Sequence, residues 1–384
     1  MSGATVMKPV TDRPRHVYAV DFARAATILA VVAVHAVRFG AGSAAPVAEG
    51  LVQLWLQFGR EVFMAVTGFV LVYAYGYKRP RWLNFYQKRF QNTGVPYLIW
   101  LGFFLALSTP LWPVLPFLRT WLAEVPNGAG HLYYLVITFQ FYAIVPLWIW
   151  LERRIPDRWL LLGAFIIQIG GFTLASLGIP GAAPQLWATT YLFDFALGAA
   201  AAMHWSTVAD VIRRHRRHAL VGLALGMALV AGVYAADMAW HVAPPAAASV
   251  FQPLSTVYTA LVMAAVLAAG TWFEEVRERF SRFSVVTMWV ADASFGIYLV
   301  HTLFLHLVLE QAPRLSWLGP WGLSTLAFVA ASVASVATVR LLRLTPVANY
   351  VVGQNRLNGE GNRRAPSQVP AGRGIQVAPS PAPK

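Results

Sequence analysis

An all-α, polytopic integral membrane protein of about ten transmembrane helices, with both termini cytoplasmic, is the fold class this sequence predicts. Three observations carry the prediction. Hydrophobic residues make up 58% of the 384 and charged residues only 12%, with a mean hydropathy of +0.55. The apolar residues come in runs of about twenty, the length a helix needs to cross a bilayer, rather than in amphipathic patches. Lys and Arg also alternate in density from loop to loop, as the positive-inside rule requires of a multi-pass chain.

A basic lead, residues 1–17, precedes a first span at 18–39, which is too long for the apolar core of a cleaved signal peptide and contains His35. The second span, 51–76, carries Gln53, Gln57, Arg60, Glu61 and Thr67 at helical spacing. The cytoplasmic loop 77–94 interleaves Lys and Arg with Trp82, Phe85, Tyr86 and Phe90, the pattern of an interfacial helix. Further spans follow at 95–112, at 131–150 opening on His131, at 159–178, and at 186–205 with Asp194 inside. A loop rich in arginine, holding His215 and His218, leads to spans at 219–237 and 254–273. The span at 285–309 contains Tyr298, His301 and His306, and the last is 319–344. Residues 18–344 thus form one transmembrane domain, and 345–384 a cytoplasmic tail whose Pro-, Gly- and Arg-rich composition from Gln354 onward predicts disorder. No internal repeat at a fixed period is present.

This topology accounts for the formal charge of +14. With a cytoplasmic N-terminus the inner segments hold the great majority of the 30 Lys and Arg, and the outer loops only Arg38, Arg119 and Arg314, while Arg24 and Arg60 lie within spans. No nucleic-acid partner is needed; anionic inner-leaflet lipid is a secondary one. A cell membrane of prokaryotic type is the plainest location. Cysteine is absent, which excludes disulfides, thiolate metal sites and a thiol acyl relay. Serine-hydrolase elbow, Walker loop, zinc-helix and dinucleotide signatures are all missing. Chemistry must therefore occur within the bundle or at its mouths.

Arg24 and His35 lie eleven residues apart, so after three turns both project from one helix face, with Asp21 one turn below Arg24. Ionisable groups inside a membrane are costly and mark functional sites by default. The second span adds Arg60 and Glu61 near mid-bilayer, and Asp21–Arg24 and Arg60 with Glu61 or Asp194 are also plausible purely structural ion pairs. His35 stands about one turn from the outer end of its helix, where an external substrate can reach an imidazole suited to proton transfer. His301 and His306, five apart, are expected on different sides of their helix.

Several segments together resemble the membrane-bound acyltransferase family 3, which O-acylates bacterial glycans. Val20-Asp21-Phe22-Ala23-Arg24 followed by His35 is similar to its first-helix signature, with ten residues between the cation and the histidine. Phe63 to Phe69 resembles its "FFxxSGF", Lys88-Arg89 through Trp100 its "RRxxRxxxPYxxW", His131 to Leu135 its "HLWYL", and Ser294 to His301 its "SYxIYLxH". Asn92 stands where a second arginine is expected, Thr67 replaces serine and Tyr133 replaces tryptophan.

The resemblance implies a form without an appended extracytoplasmic domain. It implies transfer of an acyl group, usually acetyl, from cytosolic acyl-CoA as co-substrate to a hydroxyl of a saccharide or lipid-linked glycan, with no metal. An extracytoplasmic protein is then a candidate partner, beside membrane lipid. His35, Arg24 and Asp21 are the expected catalytic residues, with His35 as base or itself transiently acylated. Arg60, Glu61, Lys88 and Arg89 are expected to bind the donor, and His131, Tyr134 and His301 to face the acceptor. A transporter or flippase for a glycan precursor, or a scaffold of a glycan-assembly complex, are the competing functions.

Overall fold

The computed structural model describes residues 16–40, 45–76, 80–177, 186–247, 249 and 252–353, which form helices and turns and no strand. The lead up to Arg15, Lys78 and Arg79 of the basic loop, and the tail from Gln354 lie outside the described residues. α1 (Tyr18–Gly40) is one unbroken helix. The second span is instead two helices, α2 (Pro46–Leu56) and α3 (Gly59–Tyr75), separated by a turn at Gln57 and Phe58. α4 (Trp82–Arg89) is the expected helix of the basic loop, and it runs through one wide π turn, Phe90–Gly94, into α5 (Val95–Ser108).

α6 (Val114–Glu124) has no counterpart among the predicted elements. It folds back along α5, where Trp121 Nε1 donates to the Leu98 carbonyl at 3.3 Å and the Tyr97 hydroxyl to the Val125 carbonyl at 2.6 Å. Its Leu115, Leu118 and Leu122 are exposed, an apolar stripe suited to lipid. A 3₁₀ turn, Gly130–Leu132, then opens α7 (Tyr133–Glu152), and α8 (Asp157–Ser176) follows.

The sixth span departs furthest from expectation. After a 3₁₀ turn at Ala188–Tyr191, α9 (Leu192–Met203) stops at His204, and α10 (Trp205–Arg214) leaves it at 99°. The 12 residues of α9 rise only about 18 Å, short of a full bilayer core. α10 buries Trp205 and Ala209 and exposes Asp210, Arg213 and Arg214, so it cannot continue an apolar span. Asp157 holds His204 at the corner, 2.5 Å away. α11 (Arg216–Ala239), α12 (Pro244–Ala247), α13 (Pro253–Val276), α14 (Ser281–Leu309), α15 (Gly319–Leu342) and the short α16 (Ala348–Val352) complete the chain. Among the described residues nine helical stretches are long and apolar enough to cross a membrane, or ten if the bent α9–α10 pair is counted as one broken span.

Helices in a bilayer associate through close packing and hydrogen bonds, because lipid tails are as apolar as leucine. α1 is the hub, packed against α3, α13, α14 and α15 with Ala19, Ile28, Val32 and Ala36 fully buried. α3 and α9 approach closest where Gly68 meets the Phe195 carbonyl and Gly198 meets the Ala65 carbonyl; a Cβ at either would collide with backbone. One end of the bundle gathers the basic loops. There Arg153 Nη2 donates to the Gly76 carbonyl at 3.0 Å, and Arg216 grips Glu275 through two bonds of 2.7 and 2.5 Å. At the same end the chain stays ordered past the predicted start of the tail at 345. Trp100 Nε1 donates to the Val351 carbonyl at 2.9 Å, and Gly353, at φ +63°, turns against Asn92 in a conformation that favours glycine.

Candidate active site

A cavity of about 740 Å³ occupies the half of the bundle away from the basic end. Its walls come from the last turns of α1, the break between α2 and α3, the end of α5, the Asn127–Tyr134 entry to α7 and the last turns of α14. The α2–α3 break supplies part of the room, because Gln53 and Gln57, hydrogen-bonded to each other at 2.8 Å, face the cavity together with Arg60 from the helix that restarts beyond it.

His35 lies on this wall, its ring stacked on Phe39 at 5.9 Å and tilted against His301 at 5.3 Å. Arg60 lies there too. Its Nη1 donates to the Tyr133 hydroxyl at 3.0 Å, and its Nη2 stands 3.5 Å from Glu61 Oε1. Arg38 also lines the cavity, and Arg38 and Arg60 are both close enough to act electrostatically on His35. His131 and Tyr134 face the cavity as expected for the acceptor side. The Thr302 hydroxyl meets His131 Nδ1 at 3.3 Å, and the Tyr298 hydroxyl donates a short bond to the His131 carbonyl.

Depth separates the other expected residues. Arg24 and Asp21 share the α1 face of His35 but do not line its cavity, since about 16 Å of helix separates Arg24 from His35 and about 21 Å separates Asp21 from it. Asp21 pairs with His16 and stands 3.7 Å from Arg24, whose Nη2 donates to Ser294 Oγ at 3.1 Å. The first-helix and late-helix motifs are thus zipped together, Arg24 to Ser294 at one end and His35 to His301 at the other. His301 is fully buried and absent from the cavity wall.

The four expected donor ligands are not together. Glu61 points into a separate small cleft beside Tyr258 and Thr259, and Arg60 belongs to the His35 cavity. Lys88 is exposed on α4, and the Arg89 guanidinium lies over the Phe85 and Tyr142 rings at 5.4 and 5.3 Å. Asp194 accepts from Gln168 Nε2 at 3.1 Å, deep in the packing of α8 and α9.

Sequence reasoning missed three participants. Tyr133, which stands in place of tryptophan, accepts from Arg60 through its hydroxyl, which an indole N–H cannot do. His306 lines the cavity, where it meets Phe39 at 5.3 Å, while His301, about one and a half turns before it, meets His35. Ser294 was visible only as a motif letter.

Comparison with known proteins decides the family. A family model described as an acyltransferase domain, that of acyltransferase family 3, matches residues 17–340. The chain belongs to acyltransferase family 3. No curated protein and no solved structure matches it. The matched stretch of this acyltransferase runs from the start of α1 almost to the end of α15, so it holds both the His35 cavity and the Arg24–Ser294 contact. As an acyltransferase the protein must bring an acyl carbonyl, an attacking nucleophile and a proton acceptor to one place. The cavity at His35 brings together an imidazole, the two cations Arg38 and Arg60 and about 740 Å³ of space.

Proposed function

We propose that this acyltransferase moves an acyl group, with acetyl the expected one, from cytosolic acyl-CoA to a hydroxyl of a cell-surface or lipid-linked saccharide. One observation carries the reading: His35 and a restrained Arg60 share a roomy cavity at the end of the bundle opposite the basic loops. His35 removes the proton of the attacking hydroxyl. The oxygen adds to the thioester carbonyl, and the resulting oxyanion is stabilised by the Arg60 guanidinium, which Tyr133 and Glu61 hold against reorientation. Collapse expels the thiolate, which takes the proton back from His35, so the imidazole ends as it began.

Arg24 enters this scheme at the other end of the same helix face. Its side chain is 32% exposed, and its distance of about 16 Å from His35 is comparable to an extended pantetheine arm. We assign it to the anionic end of the donor, in preference to the exposed Lys88. The Lys and Arg asymmetry supports the reading in which the basic end, with both termini, faces the cytoplasm across a cell membrane, so that donor and acceptor use opposite mouths.

In membranes supplied with labelled acetyl-CoA and a glycan acceptor, His35→Ala should abolish transfer, a loss of about 10²-fold or more, while the protein still accumulates. Unchanged transfer would reject His35 as base. Glycolipid movement in liposomes without thioester consumption would favour the transporter reading instead.

A further inference from the structure

His301 has the arrangement of a group that holds another histidine in one protonation form. Its Nδ1 stands 3.1 Å from the Ile297 carbonyl and 2.8 Å from the Tyr298 carbonyl. Carbonyl oxygens only accept, so Nδ1 carries the hydrogen and Nε2 is left as a lone-pair acceptor. The residue is fully buried, and that Nε2 has no hydrogen-bond partner among the described residues. A buried acceptor left unsatisfied is destabilising, so it is retained where something donates to it. The ring facing it from α1 is His35, at 5.3 Å between centres. Two imidazoles joined by a nitrogen-to-nitrogen hydrogen bond of about 3 Å stand with centres roughly 5 Å apart.

We propose that His301 is a positioning residue for the acyl transfer: a turn of the neighbouring His35 ring brings its N–H onto the unpartnered His301 Nε2, fixing the tautomer in which the other His35 nitrogen is free to take the acceptor's proton. This rests on the reading of His35 as base. No charge is buried in the arrangement, since both rings are neutral at rest, and this suits a site already holding the cations Arg38 and Arg60. When His35 becomes imidazolium during the reaction, the same bond to His301 becomes charge-assisted and stronger. His131, whose ring lies 5.1 Å from His301, is the competing donor to the single lone pair. Its Nδ1 faces Thr302 while its Nε2 is buried and unpartnered, so nitrogen spectroscopy decides between His131 and His35 as the donor.

The test pairs kinetics with nitrogen spectroscopy on the full chain in bilayers. His301→Phe, which keeps the volume and removes the acceptor, should lower kcat by about 10²-fold with KM for acetyl-CoA and acceptor within about twofold. His301→Gln, whose side-chain oxygen can accept the same N–H, should recover a large part of the loss. In ¹⁵N-histidine-labelled wild-type protein, an N–H···N coupling should be present and should vanish in His35→Ala. Wild-type kcat in His301→Phe, equal losses in both variants, or a coupling that survives His35→Ala and vanishes in His131→Gln would each overturn the proposal. Loss of activity in His35→Ala with normal kcat in His301→Phe would reject the positioning role alone and leave the base in place.

Discussion

The guanidinium of Arg60 is held from two directions, by a phenol at 3.0 Å and a carboxylate at 3.5 Å, in a bundle where an unpaired charge is expensive. That restraint suits it to an oxyanion, because a donor already oriented costs no reorganisation when charge develops. Arg60→Ala should therefore lower kcat by about 10²–10³-fold, whereas Arg24→Ala should act mainly through KM for the thioester. Equal kcat losses in the two variants would contradict the division of labour. Tyr133→Trp, the family's usual residue, should lower kcat severalfold, because indole offers Arg60 no acceptor. At this scale the sequence reports which ionisable groups lie in membrane and on which azimuth, and His35 and Arg60 were legible for that reason. It does not report depth or partner. Arg24 and Asp21 share the face of His35 but stand at another depth, and the Tyr133 hydroxyl meets Arg60 only because folding sets α3 beside it.

α3 and α9 cross where Gly68 and Gly198 let backbone meet backbone, and this crossing fixes the helix that carries Arg60 and Glu61. Gly198→Leu should push the pair apart, destabilising the bundle by about 1–3 kcal/mol and lowering its thermal midpoint in detergent. An unchanged midpoint would show that the contact is dispensable. The long apolar helices could be read directly from their runs of about twenty residues. What could not be read is how a polar or small residue breaks such a run. The α2–α3 turn, the 99° corner at His204 and the return of α6 along α5 each depend on contacts distant in sequence, such as Asp157 with His204 and Trp121 with Leu98. The α2–α3 turn matters most for function, because the cavity exploits it.

On the scale of the whole molecule the two ends are chemically unlike. One end is basic and tied by arginine contacts, with Arg24 and the ordered α16 near it; the other opens into the cavity of His35, Arg60, His131 and His306. On the proposed reading the basic end is the donor side and the cavity end the acceptor side, joined by the single face of α1 that meets α14. The most direct measurement is a sided assay in proteoliposomes of uniform orientation, with labelled acetyl-CoA supplied only at the basic end and a saccharide acceptor only at the cavity end. Labelled acyl ester on the acceptor, formed by wild-type protein and lost in His35→Ala, is the result predicted; product formed only when donor and acceptor share one compartment, or formed equally without His35, would contradict it.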